Sequence, residues 1–528
     1  MDLRLSKNVL FFGKHRHLHL YHNLNGAVIR VSDPIRRALL PHVAELSGWD
    51  DAPDPASDET VERARERLFR WRVLVPEDFD EALDLATWYP ARSVWSVFYV
   101  REDNAVLRAR HDRATGEPVL EPLEGLEASL WLACDGTRSF ATILEAAGVD
   151  LARVRDLAHE WTGWERQLLK WLPRPLPEVA EGGGFSPEFL THVKNLSAFG
   201  RRPPEPPRPA VELAAAQHRA GRRRAAEQFV RRETTLSHLF RVPHPALGGR
   251  SYGGALGAAL LGRGLLGRAA PRIAEVAAGT GAMASGLLAM LAREAPAIAA
   301  GLAYTIVEVA PALAAAQRET LAATPGHLKD RIRWISGATD RLPFCARTVD
   351  LLIANEALAD LETAPNPESG ELENIGAVRF IEEIARILAP GGSAVLTEHG
   401  ELDEPVRPAG PLDAAEHTIR YDRLVACAEA LGLEATLEPV GDFLQFDRST
   451  PLLFADEIHM AELGALARAA GRELPMLAYT REMLDEALKG ALDLERLANL
   501  SFASLGSFPP LGLSPDVFKA MVLRRPVE

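Results

Sequence analysis

From Arg272 to the C-terminus, short apolar runs alternate with amphipathic stretches, and this alternation is what most limits the fold. RIAEV, LAYTIV, IRWI and TVDLLIA are four such runs, separated by turns and helical patterns. A strand that is apolar at nearly every position is buried on both faces, which is the habit of a mainly parallel sheet covered by helices. Residues 251–528 are therefore expected to form a doubly wound α/β domain. In such domains ligands bind at the carboxyl ends of the strands.

The turns say what kind of ligand. The first strand carries Glu275 and runs into Ala277-Ala278-Gly279-Thr280-Gly281, then a helix. Glycines there let the backbone turn tightly beside a ligand, with helix N-terminal amides facing it. The dinucleotide fingerprint Gly-x-Gly-x-x-Gly is not met, because Ala282 and Ala284 follow Gly281 without a third glycine. The second strand ends in Glu308, where a carboxylate can accept both hydroxyls of a ribose. The third ends near Gly337, so that Ala338, Thr339 or Asp340 can meet a base edge. The fourth presents Asn355 and Glu356 to the same crevice.

The next phrase, VRFIEEIARILAPGGSAVLTEHG, is an amphipathic helix, the turn Pro390-Gly391-Gly392 and a fifth strand. It resembles the class I S-adenosylmethionine-dependent methyltransferases. That resemblance implies a Rossmann-like, seven-stranded doubly wound sheet. IRYDRLVACAEALGLEATLEP supplies a helix and sixth strand, and the terminal DVFKAMVLRRP the antiparallel seventh. Residues about 450–510 are expected as a mostly helical insertion that could cap the substrate cleft.

EVAAGTGAMASGLLAML, YTIVEVAPALAAAQRETL, IANEAL and FKAMVL narrow the likeness. They resemble the MidA-like methyltransferases, the group that includes the arginine methyltransferase of mitochondrial complex I assembly. The likeness spans about 250–525 and is most specific from Val307 to Gln317. It implies S-adenosylmethionine as cofactor, held by Glu275, Ala277, Gly279, Thr280, Gly281, Glu308, Ala338, Thr339 and Asn355. Asn355 and Glu356 then face the substrate, with Glu356 orienting or deprotonating the nucleophile. Two positions depart from the family pattern: Ala277 replaces a glycine, and Ala359 replaces an acid, which removes the ground for arginine specificity. Residues 234–261 resemble the lid preceding the core, and His238, Arg241, His244, Arg250 and Tyr252 are its candidates for cofactor or substrate contact.

The N-terminal region reads as two copies of a small α+β unit, over about 8–80 and 95–173. In the first, period-2 alternation surrounds Asn25-Gly26, a dipeptide that accepts positive φ and signals a hairpin. In the second, alternating strands precede a helix, a break at Gly136 and another helix, a winged-helix-like pattern. Leu130-Trp131-Leu132-Ala133-Cys134-Asp135-Gly136-Thr137-Arg138 resembles the PqqD-like peptide-recognition modules of ribosomal peptide (RiPP) biosynthesis. Those modules take a leader peptide as an added strand, and the likeness makes Trp131, Asp135 and Arg138 peptide contacts. His15, His17 and His19 fall on one face of the first predicted strand, with His22 nearby, and without a carboxylate or cysteine in the run a solvent-facing side is expected there and no metal. The expected modules are 1–90, winged-helix-like, and 91–175, PqqD-like. A linker and lid occupy 176–250, with Pro- and Gly-rich breaks near 171–187 and 201–212 and a short helix between them.

Composition trims the function classes. A net charge of −14 without a basic tail removes the phosphate-neutralising attraction on which nucleic-acid binding rests. Three scattered cysteines suit a reducing cytoplasm, and no run approaches the roughly 20 apolar residues of a membrane span. The expected protein is a cytoplasmic methyltransferase acting on a peptide or protein side chain, such as a RiPP precursor held by the N-terminal modules. The alternatives are an inactive assembly or peptide-binding factor, or a small-molecule methyltransferase whose N-terminal modules form a homodimer.

Overall fold

The computed structural model describes residues 2–14, 17–22, 24–25, 28–44, 46, 60–79, 85–92, 98–102, 105–111, 118–162, 168–172, 175, 233, 235–366, 369–406, 417–453, 455, 457–475, 478–498, 500, 502–505 and 515–527. Most of the first expected linker, all of the second, the short helix between them and His15 lie outside the described residues; Trp171 and Leu172, at the start of the first linker, instead belong to a strand, Leu169–Leu172. Residue contacts divide the chain into two compact units. One comprises Met1–Ala210, Ala455–Leu474 and Met483–Ser501, the other Val211–Phe454, Pro475–Glu482 and Phe502–Glu528. Among the described residues no helix is long and apolar enough to cross a membrane.

The second unit contains the large sheet. Its strands are β1 (Arg272–Val276), β2 (Ala303–Val307), β3 (Ile332–Ile335), β4 (Val349–Asn355), β5 (Leu388–Glu401), β6 (Glu434–Pro439) and β7 (Phe518–Arg524). They lie in the order β3-β2-β1-β4-β5-β7-β6, with a two-residue strand, Ile419–Arg420, beside the end of β5. β3, β2, β1, β4 and β5 are parallel to their neighbours, and β7 is antiparallel to both β5 and β6. The order reverses between β1 and β4. That reversal opens a crevice at the carboxyl ends of β1, β2 and β4.

Alternation along each strand sorts side chains to two cores. Ile273, Tyr304, Ile306, Leu351 and Ile353 enter one, under helices α1 (Tyr252–Gly262) and α2 (Ala282–Glu294). Ala274, Val276, Val307, Leu352 and Ala354 enter the other, under α4 (Ile375–Ile387) and α5 (Tyr421–Ala430). Between β2 and β3 runs α3 (Pro311–Thr320). In α4, Ala377, Phe380, Ile381, Ile384 and Ile387 recur at three- and four-residue steps, so one face is buried. α1 has no such stripe and meets α2 backbone to backbone. A β-carbon on Gly253 would lie 2.0 Å from the Met283 carbonyl oxygen, so only glycine allows the approach. This crossing fixes Tyr252, the first residue of α1.

In the first unit, Val9–Lys14, His17–His22 and Val28–Arg30 form an antiparallel sheet. One long alternating run from the sequence is thus two paired strands, and a second hairpin closes around Asn25 as expected. His22 is fully buried, with Nε2 3.0 Å from the Arg72 carbonyl, and burial pushes its pKa down to about 4. It faces the interior rather than solvent. No group of three potential metal ligands occurs among the described residues.

The second copy holds three antiparallel strands, Tyr99–Glu102, Ala105–His111 and Pro118–Glu124, then helices Gly125–Ala133, Phe140–Ala147 and Leu151–Thr162. The third strand carries Pro118 and Pro122 and lies at the sheet's edge, where a missing N–H is tolerated. The opposite edge is filled by Leu497–Ala498 of the C-terminal insertion, paired with Val100 and Tyr99. The insertion's helix Glu457–Ala469 packs on Ala105–His111 and Pro118–Glu124. The insertion therefore completes the N-terminal module's sheet.

Candidate active site

The crevice is lined by three tips. The β1 tip is the loop Ala277–Gly281. Ala277 has φ +55, in the left-handed region that disfavours a β-carbon, and its methyl is exposed. The chain thus keeps the loop's shape without the glycine that would adopt it freely. Gly279 (φ +54) and Gly281 (φ +88) complete the turn into α2.

The β2 tip is Glu308. Its Oε1 accepts a hydrogen bond from Ala310 N (2.9 Å) and its Oε2 one from Gln317 Nε2 (3.0 Å). Gln317 Nε2 also lies 2.9 Å from the Gly279 carbonyl oxygen. One amide thus ties the β1 loop to the β2 acid, which gives the Val307–Gln317 phrase a physical reason. Gln317 Oε1 is buried without a partner among the described residues. Burial raises the Glu308 pKa above the usual carboxylate range. Ala338 and Thr339 follow β3, with Ala338 exposed and bridged to Arg341.

At the β4 tip, Asn355 Oδ1 accepts from Tyr252 Oη (2.7 Å) and Thr397 Oγ1 (2.8 Å), and its Nδ2 donates to Glu356 Oε1 (3.1 Å). Glu356 sits at φ +51, a strained conformation of the kind found at functional sites. Its Oε1 also accepts from Leu236 N (2.8 Å), while Oε2 makes no hydrogen bond among the described residues. Burial, and next the charge of Glu398, push its pKa well above the carboxylate range.

Other expected residues take different places. Glu275 is fully buried, receives Tyr304 Oη (2.5 Å), and is pushed up to about 8 by burial. It stands behind the loop, held by Tyr304. Tyr252, at 1% exposure, cannot touch a substrate; it positions Asn355. His244 is buried, and its Nδ1 accepts from Ala246 N (3.1 Å) as a helix cap. Arg250 pairs with Glu294 (3.2 Å). His238 and Arg241 lie together beside the β1 loop, Arg241 Nη1 against His238 Nε2.

The sequence reading missed Glu233. Its carboxylate accepts Thr280 N (3.1 Å), Thr280 Oγ1 and Thr235 Oγ1 (2.7 Å). No motif marks it, because it lies far from the loop in sequence and arrives there by tertiary folding. Glu233, Leu236 and Tyr252 together dock the segment before the core onto the β1 and β4 tips.

In the N-terminal unit, Trp131 is fully buried, donates Nε1–H to the Leu168 carbonyl (3.3 Å) and packs edge-on against Tyr99. It serves the core and offers no face to a peptide. Asp135 Oδ1 accepts Thr137 N (2.9 Å) and Oγ1 (2.6 Å), and Arg138 Nη2 donates to the Ala133 carbonyl (3.2 Å). The Cys-Asp-Gly-Thr-Arg phrase is thus a turn that ends a helix, with Asp135 and Arg138 exposed upon it.

Residues 264–361, from before β1 through the β4 tip, match the family model "Putative S-adenosyl-L-methionine-dependent methyltransferase". The chain carries an S-adenosylmethionine-dependent methyltransferase core. Among solved structures the methyltransferase is similar to a Burkholderia thailandensis protein described as a "likely methyl transferase" and bound to S-adenosyl-homocysteine. The two share 16% identity over 61% of this chain and 96% of that one, with a TM-score of 0.33. It is also similar to phosphoethanolamine N-methyltransferase 2 of Haemonchus contortus, at 14% identity over 51% and 52% of the two chains and a TM-score of 0.30. No curated protein matches the sequence.

The crevice suits the cofactor. A β-carbon on Gly279 would fall 2.7 Å from Glu233 Oε1, so the loop is bare where the Glu233 carboxylate comes up against it. Glu308, fixed by Gln317, keeps lone pairs for ribose hydroxyls. The cofactor, when bound, supplies an electrophilic methyl group on a sulfonium.

Proposed function

We propose that this methyltransferase modifies a peptide or protein side chain, with Glu356 as proton acceptor and the N-terminal modules as the substrate holder. The observation that carries the reading is Glu356 itself: a strained residue at the β4 tip whose buried carboxyl has Oε1 held by Leu236 N and Asn355 Nδ2. Burial and the charge of Glu398 raise its affinity for a proton, which favours its taking one from a nucleophile. Holding the nucleophile in line with the methyl group would supply most of the acceleration. The MidA-like phrases support a protein substrate. The RiPP reading rests on the sheet-and-helix module at 99–162 and its exposed Asp135 and Arg138.

The domain boundaries proposed are modules at 1–90 and 91–175, a connecting segment at 176–250 and the methyltransferase from 251. The test is mass spectrometry of a short precursor encoded beside this protein's gene, co-expressed with wild type and with Glu356→Gln. A 14-dalton gain with wild type alone is expected. No gain on any neighbouring peptide, with turnover of a small-molecule acceptor instead, removes the peptide reading.

A further inference from the structure

We infer that Glu233 is the acceptor for the positively charged α-amino group at the methionyl end of the cofactor. The inference rests on reading the β1–β2–β4 crevice as the cofactor site, and the track across that crevice sets the direction. The ribose acceptor Glu308 lies at the β2 tip, the glycine loop at β1, and Glu356 at β4, in that order across the sheet. An adenosine over β2 therefore directs the amino-acid end of the ligand toward the interval between β1 and β4. Glu233 occupies that interval. It is bonded to Thr280 of the β1 loop, and three residues later Leu236 N binds Glu356 of the β4 tip.

The state of the carboxylate is the second argument. Glu233 is 3% exposed. Among the described residues no Lys or Arg comes within ion-pair distance of it; His238 lies with Nδ1 3.5 Å from Oε2, and Arg241, against His238, adds a more distant positive charge. Burial opposes its charge, but the His238 imidazole beside it and hydrogen bonds from Thr280 and Thr235 outweigh burial and hold its pKa below the usual range. An ionised carboxylate is thus kept in a poorly hydrated place with no Lys or Arg in direct contact among the described residues. Such a charge is costly unless a cation meets it. An ammonium group supplies that cation and a charge-assisted hydrogen bond.

The third argument is Gly279. Any β-carbon there would meet Glu233 Oε1 at 2.7 Å, so the loop is bare where the carboxylate faces it. The glycine is then required for Glu233 as well as for its φ of +54.

Calorimetry on the full chain tests this with S-adenosylhomocysteine, its analogue lacking the α-amino group, and 5′-methylthioadenosine, which lacks the whole amino-acid end. Wild type should prefer S-adenosylhomocysteine to the desamino analogue by about tenfold or more. Glu233→Gln should remove that preference and leave methylthioadenosine affinity within about twofold to threefold. Equal losses for all three ligands would make Glu233 a brace of the loop and overturn the inference, as would an unchanged preference. If Glu233→Gln does not fold, wild type still decides, because equal affinity for S-adenosylhomocysteine and the desamino analogue rules the contact out. Wild type that binds none of the three removes the cofactor site itself, a result distinct from the others.

Discussion

Gln317 holds Glu308 in place: its Nε2 lies 3.0 Å from the carboxylate and 2.9 Å from the Gly279 carbonyl. Glu308 and the glycine loop are therefore positioned by one buried amide. Glu308→Ala should weaken cofactor binding by about tenfold to a hundredfold, the loss expected when charged hydrogen bonds to two hydroxyls are removed. Gln317→Met should also weaken it, by misplacing both partners. The double variant should lose less than the sum of the two, since the residues act as a unit. Additive losses, measured by calorimetry, would mean that the two act independently.

Ala277 is a left-handed residue where glycine would relax. Ala277→Gly should raise stability, because a left-handed L-residue is disfavoured by roughly 1–2 kcal/mol while glycine forfeits about 0.5–1 kcal/mol of chain entropy. The net expectation is a gain of up to about 1 kcal/mol, visible as a higher melting temperature. A lower melting temperature would mean that the exposed methyl makes contacts that outweigh the strain.

Glu275 gives stability a pH dependence of definite sign. Its pKa is about 8 in the fold, above the ordinary carboxylate value it regains on unfolding. Between those values the folded state binds the extra proton, so this contribution is fullest at low pH and is lost as pH rises toward 8. The slope is at most about 1.4 kcal/mol per pH unit. Glu275→Gln should flatten the fall in melting temperature between pH 6 and 8 relative to wild type. Parallel curves would show that Glu275 ionises as readily in the fold as outside it.

The N-terminal module is expected to depend on the C-terminal insertion. Deleting residues 1–173 alone removes the strands on which the helix Glu457–Ala469 packs, a helix whose Leu463 and Leu466 are buried. That variant should aggregate, whereas a variant that also replaces 455–474 and 483–501 with short polar linkers, keeping 475–482 of the second unit, should stay soluble. Light scattering reads the difference. If the soluble variant turns over a short core peptide at the wild-type rate but shows a raised Michaelis constant for the full precursor, the module holds the leader. A changed oligomeric state with unchanged discrimination would mark it as a dimerisation module.

Much of the second unit was legible because its signals are local. The succession of strands, the loop, the acidic tips and the helix–PGG–strand phrase follow from apolar runs and turn residues that act within a few positions of themselves. The Pro-Gly-Gly phrase nonetheless lies inside β5 rather than before it, near a register shift against β4. The edge strand Pro118–Glu124 escaped reading because its prolines suppress the strand signal, though an edge tolerates them.

What the sequence alone determined is therefore the doubly wound core and its glycine loop, since hydrophobic period and turn chemistry are properties of neighbouring residues. Partnership across the chain was decided by the tertiary structure. The insertion's apolar helix is evident in sequence, but the sheet it covers lies more than three hundred residues earlier. Trp131 and Tyr252 carry polar atoms that suggest contact with ligands, yet packing encloses them and gives those atoms to Leu168 and Asn355. Glu233 has no local signature at all, because its role comes from the Thr280 amide it meets only when the segment before the core folds back over the loop.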